Sequence, residues 1–135
     1  MKTYMIKTIL LAAVLFSSSM VHAFDFFALN EDGVIIYYNI LNSREITCSV
    51  ANHGPLGYSG DVRIPERVSY NSVEFTVVKI DNSAFYSCPD LTSVEIPETV
   101  TSIGSYAFLG TGLNSITIPS GVSIINIGTF TNCIQ

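Results

Sequence analysis

The sequence predicts a mainly-β solenoid: parallel strands stacked in coils of 22–23 residues, preceded by an N-terminal antiparallel β-hairpin cap. Three observations predict it. Residues 91–97 read LTSVEIP and residues 113–119 read LNSITIP, 22 positions later. VTSIGSYAF at 100–108 returns as VSIINIGTF at 122–130, and KIDNSAF at 79–85 is a copy that ends 23 positions before Phe108. Within each copy apolar residues alternate, as they do in a half-buried strand. A fixed period in the low twenties marks a unit that cannot bury its apolar face alone and stacks on its neighbours.

The first 23 residues are expected to be a secretory leader. Lys2 and Lys7 give a positive start, residues 9–16 an apolar run, and Val21-His22-Ala23 a small-residue cleavage site near Ala23. The remaining 112 residues suit one exported domain with 4 basic and 11 acidic side chains, a formal charge of −7. Such a balance offers nothing to neutralise phosphates, so nucleic acid and anionic membrane surfaces are excluded as partners. No stretch after the leader reaches the roughly 18 apolar residues of a spanning helix, so no membrane insertion is expected after cleavage.

Residues 24–58 are expected to cap the solenoid. Two apolar runs, 24–29 and 34–40, flank Asn30-Glu31-Asp32-Gly33, and an Asp-Gly between such runs signals a hairpin. Another strand is expected over 45–51, then a loop at 52–57. The cap reads as non-repeating sequence that covers the open N-terminal end.

Residues 59–135 hold about three coils. Ile64-Pro65, Ile96-Pro97 and Ile118-Pro119 align, and the pairs Val62 and Ile64, Val94 and Ile96, Ile116 and Ile118 are expected to point inward. Proline ends each strand because it has no N–H for the ladder. Ile80, Ile103 and Ile125 anchor a second extended piece, and Phe85, Phe108 and Phe130 fill the coil interior. Gly104 and Asn126 share a phase that suggests left-handed backbone. The first coil holds nine additional residues between Val68 and Ile80, read as a hairpin insertion at 69–77 about Asn71-Ser72. The C-terminal end is expected to lack a cap.

These copies resemble the BspA-like leucine-rich repeats of bacterial secreted and cell-surface proteins, whose pattern is L-x-x-I-x-I-P-x-x-V-x-x-I-G-x-x-A-F-x-x-C. Leu91, Val94, Ile96, Pro97, Val100, Ile103, Gly104, Ala107 and Phe108 match it in one run. The next copy matches at Leu113, Ile116, Ile118, Pro119, Val122, Ile125 and Phe130, departing with Asn126 for glycine and Thr129 for alanine. The resemblance implies a leucine-rich-repeat fold and an adhesin-like role at the cell surface or in secretion, with no catalytic residue to carry over.

Chemistry is not expected. His53 is the one histidine after the leader, in a Gly-Pro loop, and its neighbouring sequence does not suggest a Ser-His-Asp or Cys-His arrangement. Asp81, Asp90, Glu95 and Glu98 share neither phase nor metal-ligand spacing, and no glycine-rich phosphate loop is present, so no cofactor or metal is expected. Cys88 and Cys133 share a phase two coils apart, with Thr111 between. Coils spaced about 4.8 Å put these thiols about 10 Å apart, beyond disulfide reach, so both read as small buried hydrophobes. Cys48 is open to a reactive-thiol or intermolecular role.

The expected binding surface is the outward face of the main sheet: one row of Asp61, Ser93 and Ser115, another of Arg63, Glu95 and Thr117. Arg63 and Glu95 are expected to be oppositely charged cross-strand neighbours. Tyr37, Tyr38, Tyr58, Tyr70 and Tyr106 are candidate aromatic anchors. Three strands give a face of order 250 Å², short of the about 800 Å² per partner of a standard interface. The function expected is a non-catalytic module that recognises a host or cell-surface protein or glycan. The alternative is a structural or truncated segment of a larger repeat protein that self-associates through its open C-terminal edge.

Overall fold

A computed structural model describes residues 24–53 and 57–133. The leader expected at 1–23 and part of the loop expected at 52–57 lie outside the described residues.

The described chain is mainly β, with strands β1 (Phe26–Leu29), β2 (Ile35–Asn42), β3 (Thr47–Val50), β4 (Gly60–Arg63), β5 (Arg67–Tyr70), β6 (Val73–Ile80), β7 (Leu91–Glu95) and β8 (Ser102–Ile103). One sheet has the order β1-β2-β3-β6-β5, with β8 also on β6, and a second pairs β4 with β7. Among the described residues no helix is long and apolar enough to cross a membrane.

β1 and β2 run antiparallel on either side of the Asn30–Gly33 turn, with Leu29 opposite Ile35. The Asn30 side chain fixes that turn by accepting from the amides of Asp32 (3.0 Å) and Val34 (2.8 Å), while Gly33 takes φ 79°. β5 and β6 form the other antiparallel pair, around Asn71 and Ser72 at φ 49° and 62°. Two successive left-handed residues match the twist of the strands they join. The sheet curls until β1 meets β5, and Phe26 stacks on Tyr70 with centroids 4.5 Å apart. Tyr38 and Phe75 complete this aromatic interior, at 5.2 Å and 5.9 Å from Phe26.

The N-terminal residues 24–58 are joined to the repeats through β3. β3 pairs in parallel with β6, Val50 opposite Ile80, as Ile80 lies opposite Ile103 and Ile103 opposite Ile125. The N-terminal block therefore supplies a first rung to the ladder the repeats continue. A polar node reinforces the junction: Asp81 accepts from Ser49 (2.8 Å) and Asn39 (3.0 Å) and pairs with Lys79 (3.0 Å). Ser49 is fully buried, and this bond satisfies its hydroxyl.

Three ladders join successive repeats. β4 and β7 pair in parallel, the short pieces at Ile80, Ile103 and Ile125 pair next, and the turns add a third set. Ser83, Phe85 and Ser87 donate to the carbonyls of Ser105, Ala107 and Leu109; Tyr106, Phe108 and Gly110 donate to Ile127, Thr129 and Thr131. Inside, Tyr58, Phe85, Phe108 and Phe130 form one aromatic column with centroid steps of 4.8, 5.1 and 5.5 Å. Tyr58 begins it, its hydroxyl accepting from the Tyr37 amide at 3.3 Å.

Several expectations change. Gly104 and Asn126 are not left-handed; in the repeat turns the left-handed residues are Ser83, Tyr106 and Gly128 at one phase and Ser87, Gly110 and Asn132 at another. Gly104 is required for a different reason: a Cβ there would lie 2.5 Å from the Asn82 amide nitrogen. Asn126 instead turns its side-chain amide onto the Ile103 carbonyl. Ile125 is 49 % exposed, unlike fully buried Ile80 and Ile103. Residues 113–118 form no strand, so Ser115 and Thr117 do not extend the β4–β7 sheet. Both departures fall in the last repeat, which has a neighbour on one side only among the described residues.

Cys48 is fully buried, and burial pushes its thiol up to about 12. That environment removes the reactive-thiol expectation, because the thiolate is the nucleophile. Cys88 is buried as well, whereas Cys133 is half-buried, against Thr111 Oγ1 at 3.4 Å.

Candidate functional site

The β4–β7 face is built by alternation. Val62 and Val94 turn into the core, which leaves Asp61, Arg63, Ser93 and Glu95 outside. The register sets Asp61 against Ser93 and Arg63 against Glu95. Gly60, at φ 67°, sits where the register shifts by one residue. That irregularity brings Thr92 to Asp61 as well as Ser93, and their hydroxyls donate to Asp61 Oδ1 at 2.8 and 2.7 Å.

These two bonds, Ser93 first, hold the Asp61 carboxyl below the usual carboxylate range. The sign follows: the stabilisation is present above the ordinary aspartate range and is lost as pH falls through the lowered value. Arg63 donates through Nε to Glu95 at 2.8 Å, and Glu31 lies 3.8 Å from its guanidinium. The hydrogen bond to Glu95 leads the causes that raise its pKa, followed by the charges of Glu95 and Asp32. Asn30 Nδ2 donates to the Arg63 carbonyl at 2.9 Å, which pins the β1–β2 turn beside the sheet.

The face is thus a row of mutually paired polar groups edged by an acidic turn. Asp61, Arg63, Ser93 and Glu95 are brought together as the alternation requires, and Ser115 and Thr117 are not. Thr92, Asn30 and Glu31 were missed. Gly60 beside Asp61 is the sequence signal for Thr92; the turn's reach across to β4 leaves no local signal.

Of the candidate aromatic anchors, Tyr38 and Tyr58 are buried and belong to the core. Burial also raises the Tyr37, Tyr38 and Tyr58 hydroxyl pKa values. Tyr37 and Tyr70 are half-buried, and Tyr106 is exposed. Tyr86, also exposed, was missed although it follows inward Phe85. His53 packs edge-on to Tyr58 and its Nε2 lies 2.8 Å from the Tyr86 carbonyl. Among the described residues no three His, Cys, Asp or Glu side chains gather to hold a metal ion. A shallow cleft of about 190 Å³ opens at the last repeat, lined by Leu113, Asn114, Ser115, Ile116, Phe130 and Cys133.

Residues 66–135 match the family described as "BspA type Leucine rich repeat region (6 copies)". Solved structures are similar too. A leucine-rich repeat protein from Bacteroides ovatus is 31 % identical with a TM-score of 0.65, over 82 % of this chain and 27 % of that one. A leucine rich cell surface protein from Faecalibacterium prausnitzii is 27 % identical with a TM-score of 0.54, over 82 % and 26 %. A T. pallidum leucine rich repeat protein is 25 % identical with a TM-score of 0.57, over 85 % and 45 %. The chain spans about a quarter of the length of the first two. No curated protein matches it.

Proposed function

Because the chain belongs to the BspA type leucine-rich repeat family, we propose that it is an exported, non-catalytic binding module that recognises a protein or glycan at a host or cell surface. The supporting observation is the β4–β7 face: Asp61 is held by Thr92 and Ser93, and Arg63 by Glu95. Side chains fixed in this way lose little freedom when a ligand arrives. The β1–β2 turn enlarges the contact area through Asn30 and Glu31, which offsets the small span of two strands.

In this reading the repeats are coils of a short solenoid, and β1 to β3 close its N-terminal end. The leader at 1–23 delivers the domain outside the cell, in keeping with the cell-surface description of the Faecalibacterium relative. The curled sheet is a scaffold, and the function lies in the outward face.

Binding to an array of matrix proteins and cell-surface glycans tests the proposal. The protein is expected to retain at least one ligand, and joint replacement Asp61→Ala, Arg63→Ala and Glu95→Ala is expected to weaken that binding at least about tenfold, since these side chains supply the orienting polar contacts. The far-ultraviolet circular dichroism should stay unchanged, because all three residues are exposed. Equal binding by both proteins, or no binding above background, contradicts it.

A further inference from the structure

Asn30 divides its side-chain amide between two parts of the fold. Oδ1 accepts from the Asp32 and Val34 amides at 3.0 and 2.8 Å and shapes the β1–β2 turn. Nδ2 donates to the Arg63 carbonyl at 2.9 Å, 33 positions along the chain. β1 and β2 belong to one sheet and β4 to the other. In the parallel β4–β7 pair the Ile64 amide donates to the Glu95 carbonyl, so the alternate backbone groups of Asp61 and Arg63 point away from β7. Asn30 Nδ2 thus stands where the N–H of a further strand would stand. Among the described residues, the other polar contact between the turn and β4 is the 3.8 Å approach of Glu31 to Arg63.

The docked turn brings charge with it. β4 and β7 alone turn Asp61, Arg63 and Glu95 outward, two carboxylates against one guanidinium. Glu31 and Asp32 make that four against one, and both act on Arg63 by their charge.

We infer that Asn30 is a positioning residue of the β4–β7 face: by donating to the Arg63 carbonyl it holds Glu31 and Asp32 beside Arg63 and sets the charge that a partner meets there. The inference rests on reading that face as the recognition surface, but its test needs no ligand. An asparagine side chain suits the task because it carries an acceptor for the turn and a donor for the strand on one short stem.

Nuclear magnetic resonance of the full chain, with a cationic and an anionic paramagnetic cosolute at low salt, reads the electrostatic potential at each amide proton. Asn30→Ser keeps a hydroxyl acceptor for the turn but is too short to reach β4. The ratio of cationic to anionic relaxation enhancement at the Asp61 and Arg63 amides is expected to fall at least about twofold, because two carboxylates move away within a screening length. Ser69 and Glu74, in the other sheet, should keep their ratios. Cross-strand contacts between Leu29 and Ile35 verify that the hairpin is intact.

Asn30→Asp is the second variant. Its carboxylate has no proton to donate, whereas its protonated form does. The docked state therefore binds the proton, and docking is expected below the carboxyl range and lost as pH rises through it. The Arg63 carbonyl carbon shift reads this. Glu31, Asp32 and Glu95 face the same region and are present in both proteins, so the parent, whose amide donor does not titrate, is the reference. An unchanged cosolute ratio in Asn30→Ser, or an Arg63 carbonyl shift in Asn30→Asp that follows the parent's at every pH, overturns the inference. A face that binds nothing on the array contradicts the proposed function and leaves these readings unmoved, so the two failures are told apart.

Discussion

Phe108→Ala is expected to destabilise the domain by about 3–5 kcal/mol, the usual cost of emptying a buried phenylalanine site. Phe108 is fully buried and stacks on both sides, 5.1 Å from Phe85 and 5.5 Å from Phe130, with interplanar angles of 8° and 5°. Its removal deletes two aromatic contacts and leaves a void between ladders that cannot close. The turn amides of Phe85 and Phe108 fix the repeat spacing by bonding to Ala107 and Thr129 at 2.8 and 2.9 Å. A domain of this size has about 5–15 kcal/mol of stability, so the loss is a large fraction of it. Phe130→Ala is the internal control. Phe130 is half-buried and has one stacking partner among the described residues, so its truncation is expected to cost less than half as much. Urea unfolding of the two variants measures the difference; equal costs contradict the closer packing of Phe108 than of Phe130 in the column.

Gly104→Ala is expected to cost about 1–3 kcal/mol, near the upper end, although it adds a single methyl group. That methyl would meet the Asn82 amide nitrogen and Oδ1, both at 2.5 Å, and the Asp81 carbonyl carbon at 2.7 Å. Backbone atoms of the preceding repeat cannot swing aside as a side chain can. Separation of the two repeats would strain the bonds from the Gly104 amide to the Ile80 carbonyl and from the Ser105 amide to Asn82 Oδ1, each 2.9 Å. The measurement is again the urea midpoint. A variant as stable as the parent would mean that the repeats are not held as closely as described here.

Much of the repeat region was legible because it depends on short-range periodicity. Alternation over 92–96 specifies that Val94 and Ile96 face inward, and the 22-residue recurrence specifies which residues share a column. The pairing of Arg63 with Glu95 followed from register alone. What stayed hidden depends on long-range closure. Nothing local in Phe26 or Tyr70 says that their rings stack, because the contact exists only once the sheet curls. Val50 resembles no repeat in its neighbouring sequence, yet the ladder selects it by position opposite Ile80.

Glycine misled for a related reason. Gly104 marks a close backbone approach, while the left-handed positions are held by Ser83 and Tyr106, residues that carry no such signal. The site was readable in part. Asp61, Arg63, Ser93 and Glu95 needed the strand period, but Ser115 and Thr117 needed a third strand that residues 113–118 do not form.

The central claim is that equivalent residues of successive repeats are hydrogen-bonded neighbours. Scalar couplings across hydrogen bonds, read by nuclear magnetic resonance on labelled protein, test it most directly. The account predicts cross-peaks from the Phe85 amide to the Ala107 carbonyl and from the Phe108 amide to the Thr129 carbonyl. Couplings from those amides to carbonyls within their own repeats would contradict it.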